Sequence, residues 1–298
     1  MGIMVNIVMT PCGEFWGRKW NLLDIVTAVV FFSLHCLCVM APFHFTWPAF
    51  WVACALYLVT GLGVTLSFLE ILLTRAFVFR NGSSTCLPTS GFSHFREPIE
   101  WVSSHRYHHQ FTDTEKDVHS PLQGFWFSHM GWILDSGSRF GKYGGLKNVE
   151  DLKRQPFYRF LHRTFLLHSV VLLGSLLYVV GGFPFLAWGL GVRMVCVFHS
   201  TLLVNSAGHI WGKQVYLTGD MSRNNWWLGL FALGEGWHNN HHAFDFSARQ
   251  GFEWWQIDVT WYVIRFLQAI GLATNVKTPT EAQKRRKALH NKVTAAEN

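Results

Sequence analysis

Residues 25–68 read IVTAVVFFSLHCLCVMAPFHFTWPAFWVACALYLVTGLGVTLSF. Two apolar runs, 25–42 and 49–68, are separated only by Phe43-His44-Phe45-Thr46-Trp47-Pro48, which is too short for anything but a tight turn. Each run is close to the ~20 residues that cross a bilayer core, so the stretch predicts a helical hairpin. The pattern returns at 165–180 and 185–204, on either side of Gly181-Gly182-Phe183-Pro184. The fold expected is therefore all-α and polytopic: four transmembrane helices in two hairpins, forming one domain over 1–298 with a His-rich helical cap.

Composition supports a membrane protein. Half the residues are hydrophobic, 16% are aromatic and only 14% are charged, where soluble chains carry about a quarter. Fifteen tryptophans suit membrane–water interfaces. The net charge of +7 comes from a basic stretch at 142–163 and from the tail Lys284-Arg285-Arg286-Lys287. Together with Arg18 and Lys19 these fall on one side of the four runs, which predicts cytosolic termini and a cytosolic middle loop. Basic flanks of membrane spans explain the charge without nucleic acid as a partner. The six cysteines show no paired spacing, and four lie within apolar runs, so no disulfide framework is read. The N-terminus shows neither a signal peptide nor a transit peptide. The membrane expected is the endoplasmic reticulum, ahead of the plastid.

The chemistry lies in the sixteen histidines. His105, His108 and His109 form H-x-x-H-H, and His238, His241 and His242 repeat it. On a helix, positions i, i+3 and i+4 share a face, so each triplet aims three imidazoles at one point, a donor set for Zn, Cu, Fe or Ni. Asp113, Asp117 and Glu235 are placed to orient the ring N–H groups. Structural zinc takes four ligands; seven imidazoles, counting His209 after the fourth run, point to two metals and to oxygen chemistry. His35, His44, His129, His162, His168, His199 and His290 lack such spacing and read as interfacial or packing residues. His119 fits either role.

These residues resemble the membrane fatty-acid desaturases, most closely the plant delta-9 acyl-lipid and acyl-CoA type. Residues 101–121 (WVSSHRYHHQFTDTEKDVHSP), 235–244 (EGWHNNHHAF) and 247–258 (SARQGFEWWQID) carry the likeness, with Val118 where the family has Pro. The NSxxH element at 205–209 adds His209 as a ligand and Asn205 as a group that binds metal through water. The resemblance implies two iron ions (Fe2+) that activate O2 and place a cis double bond, at the delta-9 position, in the acyl chain of an acyl-CoA or acyl-lipid. Electrons would come from cytochrome b5 and its reductase.

One box is missing. After residues 61–68 (GLGVTLSF) the family continues HRxxxH, whereas this chain reads LEILLTR at 69–75. The likeness resumes near Pro98, beyond the Ser-rich RNGSSTCLPTSGFSHFR at 80–96. A shifted reading frame over 70–97 explains this. One permitted choice of codons for residues 79–85, TTC CGA AAT GGC TCG AGT ACT, read one base early from Arg80, gives PKWLEY. The same shift over residues 70–96 yields a family-like string that includes the second histidine of the box. As printed, Glu70 is the nearest replacement ligand, and His94 has no box around it. The literal chain is expected to bind metal poorly and to desaturate little or not at all. Other readings are a di-iron acyl hydroxylase, a non-catalytic desaturase-like membrane protein and a bis-histidine haem protein.

Overall fold

The structure, a computed structural model, describes residues 18–66, 76–79, 98–137 and 145–289. Most of the altered stretch, with Glu70 and His94, lies outside the described residues.

Helix α1 (Leu22–Met40) begins on a capping box in which Asn21 and Asp24 satisfy each other's backbone N–H groups. Arg18 bridges Asp24 and Asp135 at 3.0 and 3.2 Å, and Ser136 N–H donates to Asp24 at 2.9 Å, tying this end of α1 to the loop after residue 133. A 3-10 turn (Ala41–His44) leads to α2 (Trp47–Leu62), capped by the Thr46 hydroxyl. The reversal is as tight as expected. Trp188 fastens it by donating to the Ala41 carbonyl at 2.9 Å and packing edge-on against Phe45 and Phe50.

Among the described residues, three helices are long and apolar enough to cross a membrane: Leu22–His44, Trp47–Leu66 and Pro156–Ile210. The last, 55 residues long, covers both runs of the expected second hairpin and comprises α5 (Pro156–Leu166), α6 (Leu173–Phe185) and α7 (Arg193–Ile210), joined by π-helical turns. It is not straight. Gly182 has φ 64° and ψ −157°, a backbone open essentially to glycine alone. Leu190 then packs against Gly174 and Leu177 against Gly189, where an added Cβ would stand 2.9 Å from the Leu177 side chain. The two limbs are antiparallel, and the small residues let their backbones approach. Leu34, Val64, Trp101, Leu177, Phe198 and Leu202 form a core shared by the spans and the cap.

The cap is built from α3 (Pro98–Phe111), α4 (Phe125–His129), α8 (Trp226–Phe231), α9 (His238–Ala243), α10 (Val259–Ala269) and α11 (Glu281–Lys287). The chain is mostly helical, as expected; the cap adds a two-residue antiparallel pair, β1 (Val78–Phe79) with β2 (Ala273–Thr274). α11 lies over α9, with Lys287 donating to the Ala243 carbonyl.

Candidate metal centre

α3 and α9 face each other across the end of α7, and all seven histidines read from the sequence come together there. Their donor nitrogens form two groups, His108–His209–His238–His242 and His105–His109–His241. In the first, Nε2 atoms meet at 3.3 Å (His108 to His242), 3.1 Å (His242 to His238) and 2.9 Å (His238 to His209). In the second, His109 Nε2 lies 2.9 Å from His105 Nε2 and 3.0 Å from His241 Nε2.

Hydrogen bonding alone does not explain these contacts. Asp117, Asp113 and Asp220 approach Nδ1 of His108, His209 and His242 at 2.9, 3.0 and 2.9 Å. An ionised carboxylate only accepts, so each Nδ1 facing one carries the proton and the Nε2 presents a lone pair. Burial pushes Asp117 up to about 7; once it is ionised, the 3.3 Å contact between His108 and His242 is lone pair against lone pair. A cation between them would relieve it. Metal–imidazole bonds of about 2.1 Å set at right angles separate their nitrogens by about 3.0 Å, the spacing seen in both groups. The donor set fits a pair of metal ions.

The carboxylates are held in turn. Asp113 adopts φ 56°, a left-handed conformation costly for a residue with a side chain and typical of functional sites. Its carboxylate also accepts from Met221 N–H at 2.6 Å, while its own N–H donates to Asp117. Asp220 accepts from the Thr218 and Ser222 hydroxyls. Asp113 and Asp117 thus do what the sequence suggested. Glu235 instead accepts from Gln250 at 3.0 Å, and burial pushes it up to about 8. Asp220, with no marker beyond its own turn, was missed.

His119 stacks beside His108 with ring centroids 4.3 Å apart, its Nδ1 3.7 Å from Asp117. Asn205 is buried, with its amide nitrogen unpartnered, and shares a narrow cavity with His105. Three of the histidines read as packing residues form a chain. His35 Nε2 meets His199 Nε2 at 3.0 Å, His199 Nδ1 meets His129 Nε2 at 2.9 Å, and His129 Nδ1 meets Ser206 Oγ at 3.1 Å. Each His199 nitrogen faces a different ring, so these three link helices and do not converge on an ion.

Burial, followed by repulsion among the imidazoles, holds His105, His108, His109, His238 and His241 below the usual range. Burial likewise lowers His119 and, against the pull of Asp220, His242. His119 and His241 fall to about 3. Unfolded histidines take protons below about 6.5, so these seven contribute stability that is complete above that pH and lost as pH falls toward 3. Burial raises Asp117, Glu235 and Asp258, which act in the opposite sense but are outnumbered by the seven. The metal-free protein in detergent is expected to melt at a lower temperature at pH 5 than at pH 7. An unchanged or higher melting temperature at pH 5 would refute this.

The protein-family model "Fatty acid desaturase" matches residues 72–275. The chain is 55% identical over 291 residues to the palmitoyl-monogalactosyldiacylglycerol delta-7 desaturase, chloroplastic, of Arabidopsis thaliana, covering 96% of this chain and 78% of that protein. It is 52% identical over 275 residues to delta-9 acyl-lipid desaturase 1 of Arabidopsis thaliana, covering 92% and 90%. To the icosanoyl-CoA 5-desaturase of Limnanthes douglasii it is 55% identical over 276 residues, covering 91% and 77%. With its histidines gathered into two clusters of converging ring nitrogens beside membrane-length helices, this chain belongs to the fatty acid desaturase family of oxidoreductases.

Proposed function

We propose that this protein, with an intact first histidine box, is an O2-dependent acyl desaturase whose seven imidazoles hold two iron ions. The observation that carries the reading is the convergence of the seven histidines into two groups, one of which, through His105, borders a narrow apolar cavity. His105 and Asn205 stand at one end of it, and Tyr57, Gly61, Val197 and Val204 line the rest. The space is only about 30 Å3, so an acyl chain would enter along these walls only if they part.

The irons would supply the oxidising power to remove hydrogen from an unactivated methylene. The protein's share is positional. Asp113, Asp117 and Asp220 fix three rings in the Nδ1–H tautomer, and the apolar walls hold the chain and exclude water. Asn205 is retained as a ligand through water, supported by its buried, unpartnered amide. The reaction balances as CH2–CH2 plus O2, two electrons and two protons giving CH=CH and two waters. The two electrons are assigned to cytochrome b5 and its reductase. Half-buried His109 and His242 border an opening of about 350 Å3 between Thr112 and Asp220, a short path for electrons into the centre.

The four-span reading is retained: Gly182 divides the 55-residue helix into two antiparallel limbs, and the sidedness of Lys and Arg supports cytosolic termini. The delta-9 position is carried over from the resemblance alone, because relatives of similar identity bear delta-5, delta-7 and delta-9 names. A non-catalytic role is favoured for the chain as printed, since LEILLTR at 69–75 contains no histidine.

The test is expression of the box-restored protein in yeast lacking its own desaturase, with gas chromatography of the fatty acids. A new cis-unsaturated acid supports the reading and its bond position is then read directly. A hydroxy acid, or no new product, would overturn it.

A further inference from the structure

Three contacts show how far the cap reaches along α2. The Tyr57 hydroxyl donates to the Phe231 carbonyl, the Leu233 side chain lies against Gly61, and Thr260 Oγ1 donates to Thr65 Oγ1 at 2.8 Å. Positions 57, 61 and 65 share one face of the continuous helix Trp47–Leu66. The span runs from Trp47 to Leu66. At 1.5 Å per residue, Tyr57 lies about 13 Å below its cap-side end, nearly halfway through a hydrocarbon core of about 30 Å. The C-terminal end of α8 is at that depth. Its first residue, Trp226, borders a cavity with Trp211, the residue just beyond α7, so α8 descends from the interface into the leaflet.

We propose that residues 226–237 form a re-entrant element within the cap-side leaflet, and that the aromatic cavity on its outer face binds the acyl chain of a membrane lipid. This rests on α2 spanning the membrane. Hydrocarbon tolerates a helix, whose backbone bonds are internal, but tolerates irregular backbone only where protein covers it. The two limbs obey that rule. The helical limb exposes Trp226, Leu230 and Phe231 at 69%, 49% and 59%. The irregular return limb, 232–237, is buried throughout. Its backbone is also paired, with Gly234 N–H donating to Gly229 O at 2.8 Å and Asn225 N–H to Gly236 O at 2.8 Å.

The cavity has a volume of about 750 Å3 and is walled by Trp211, Trp226, Trp227, Leu230, Trp237 and Trp255. Its amides are already engaged: Asn224 Nδ2 donates to Asn240 Oδ1 at 2.6 Å, and Asn240 Nδ2 to Gln256 Oε1 at 3.2 Å. Its charged lining residues, Lys213 and Glu253, are exposed and would face a lipid headgroup or water, while the indole and aliphatic walls suit an acyl chain. The return limb separates this cavity from the one beneath His105, which is bordered by Phe231, Leu233 and Glu235. A lipid seated here lies beside the catalytic cavity and outside it.

The test places a photoreactive residue in the full chain, reconstituted in phosphatidylcholine vesicles, with lipid adducts read by mass spectrometry. The variants are Leu230→p-benzoylphenylalanine for the re-entrant limb and Val215→p-benzoylphenylalanine for the cavity wall. Val179, 81% exposed in α6, receives the same probe as the in-membrane reference, and Arg285 on α11 as the aqueous one. Lipid adducts at 230 and 215 comparable to those at 179, with none at 285, are expected. Adducts at 179 without any at 230 overturn the re-entrant placement. Adducts at 230 without any at 215 overturn the lipid site. Failure at 179 would instead refute the membrane-spanning reading beneath both.

Discussion

Restoring the alternative reading frame across residues 70–97 is expected to turn a chain with little or no desaturase activity into an active one. The two histidine groups are unequal. The first has four rings, and the second, His105–His109–His241, has three. His105 lines the same cavity as Val64 and Thr65, the last turn of the span after which the family's first box follows in sequence. The poorer group therefore lies beside the end of the span that leads, in sequence, into the missing box. Loss of a partner that only orients a ligand costs ~10–100-fold in metal affinity or activity, so loss of two direct ligands should cost more than that. Both versions would be expressed side by side and their unsaturated acyl products compared. Equal activity would refute the frame explanation, as would coding DNA that cannot encode the family string in any frame.

The second large effect is His242→Ala. His242 Nε2 touches both His108 and His238, and its Nδ1 is held by Asp220. Its ring thus closes the four-membered group. Removing it leaves the lone pairs of His108 and His238 without their shared neighbour and Asp220 without its ring. Iron affinity at this group should fall by ~100-fold or more, since even indirect partners reach that range. The ion of the other group should be largely retained. His44→Ala is the control, because His44 lies at the far turn against Phe183 and its loss should leave metal content unchanged. Equal iron in His242→Ala and wild type would remove His242 from the centre.

The first hairpin was legible because apolar length and a six-residue interval leave few alternatives. The histidine groups were legible because helical spacing aims each triplet and two copies need a common target. Long-range relations were not. Asp220 is placed by Thr218 and Ser222 in a loop far from the boxes, and nothing at its position advertises His242 as its partner. The His35–His199–His129 chain joins three separate segments and has no local period. Arg193, buried within an apolar run and donating to Gly189 O at 2.9 Å, is likewise silent in a hydropathy reading. The compartment was argued from the leader alone, and a relative at 55% identity bears a chloroplastic name. Fractionation of a tagged protein decides between reticulum and plastid.

Iron per chain, measured by elemental analysis on box-restored protein purified in detergent, bears most directly on the whole reading. Two irons are expected, falling to about one in His242→Ala. Protein that is folded yet carries no iron, with or without those rings, would contradict it.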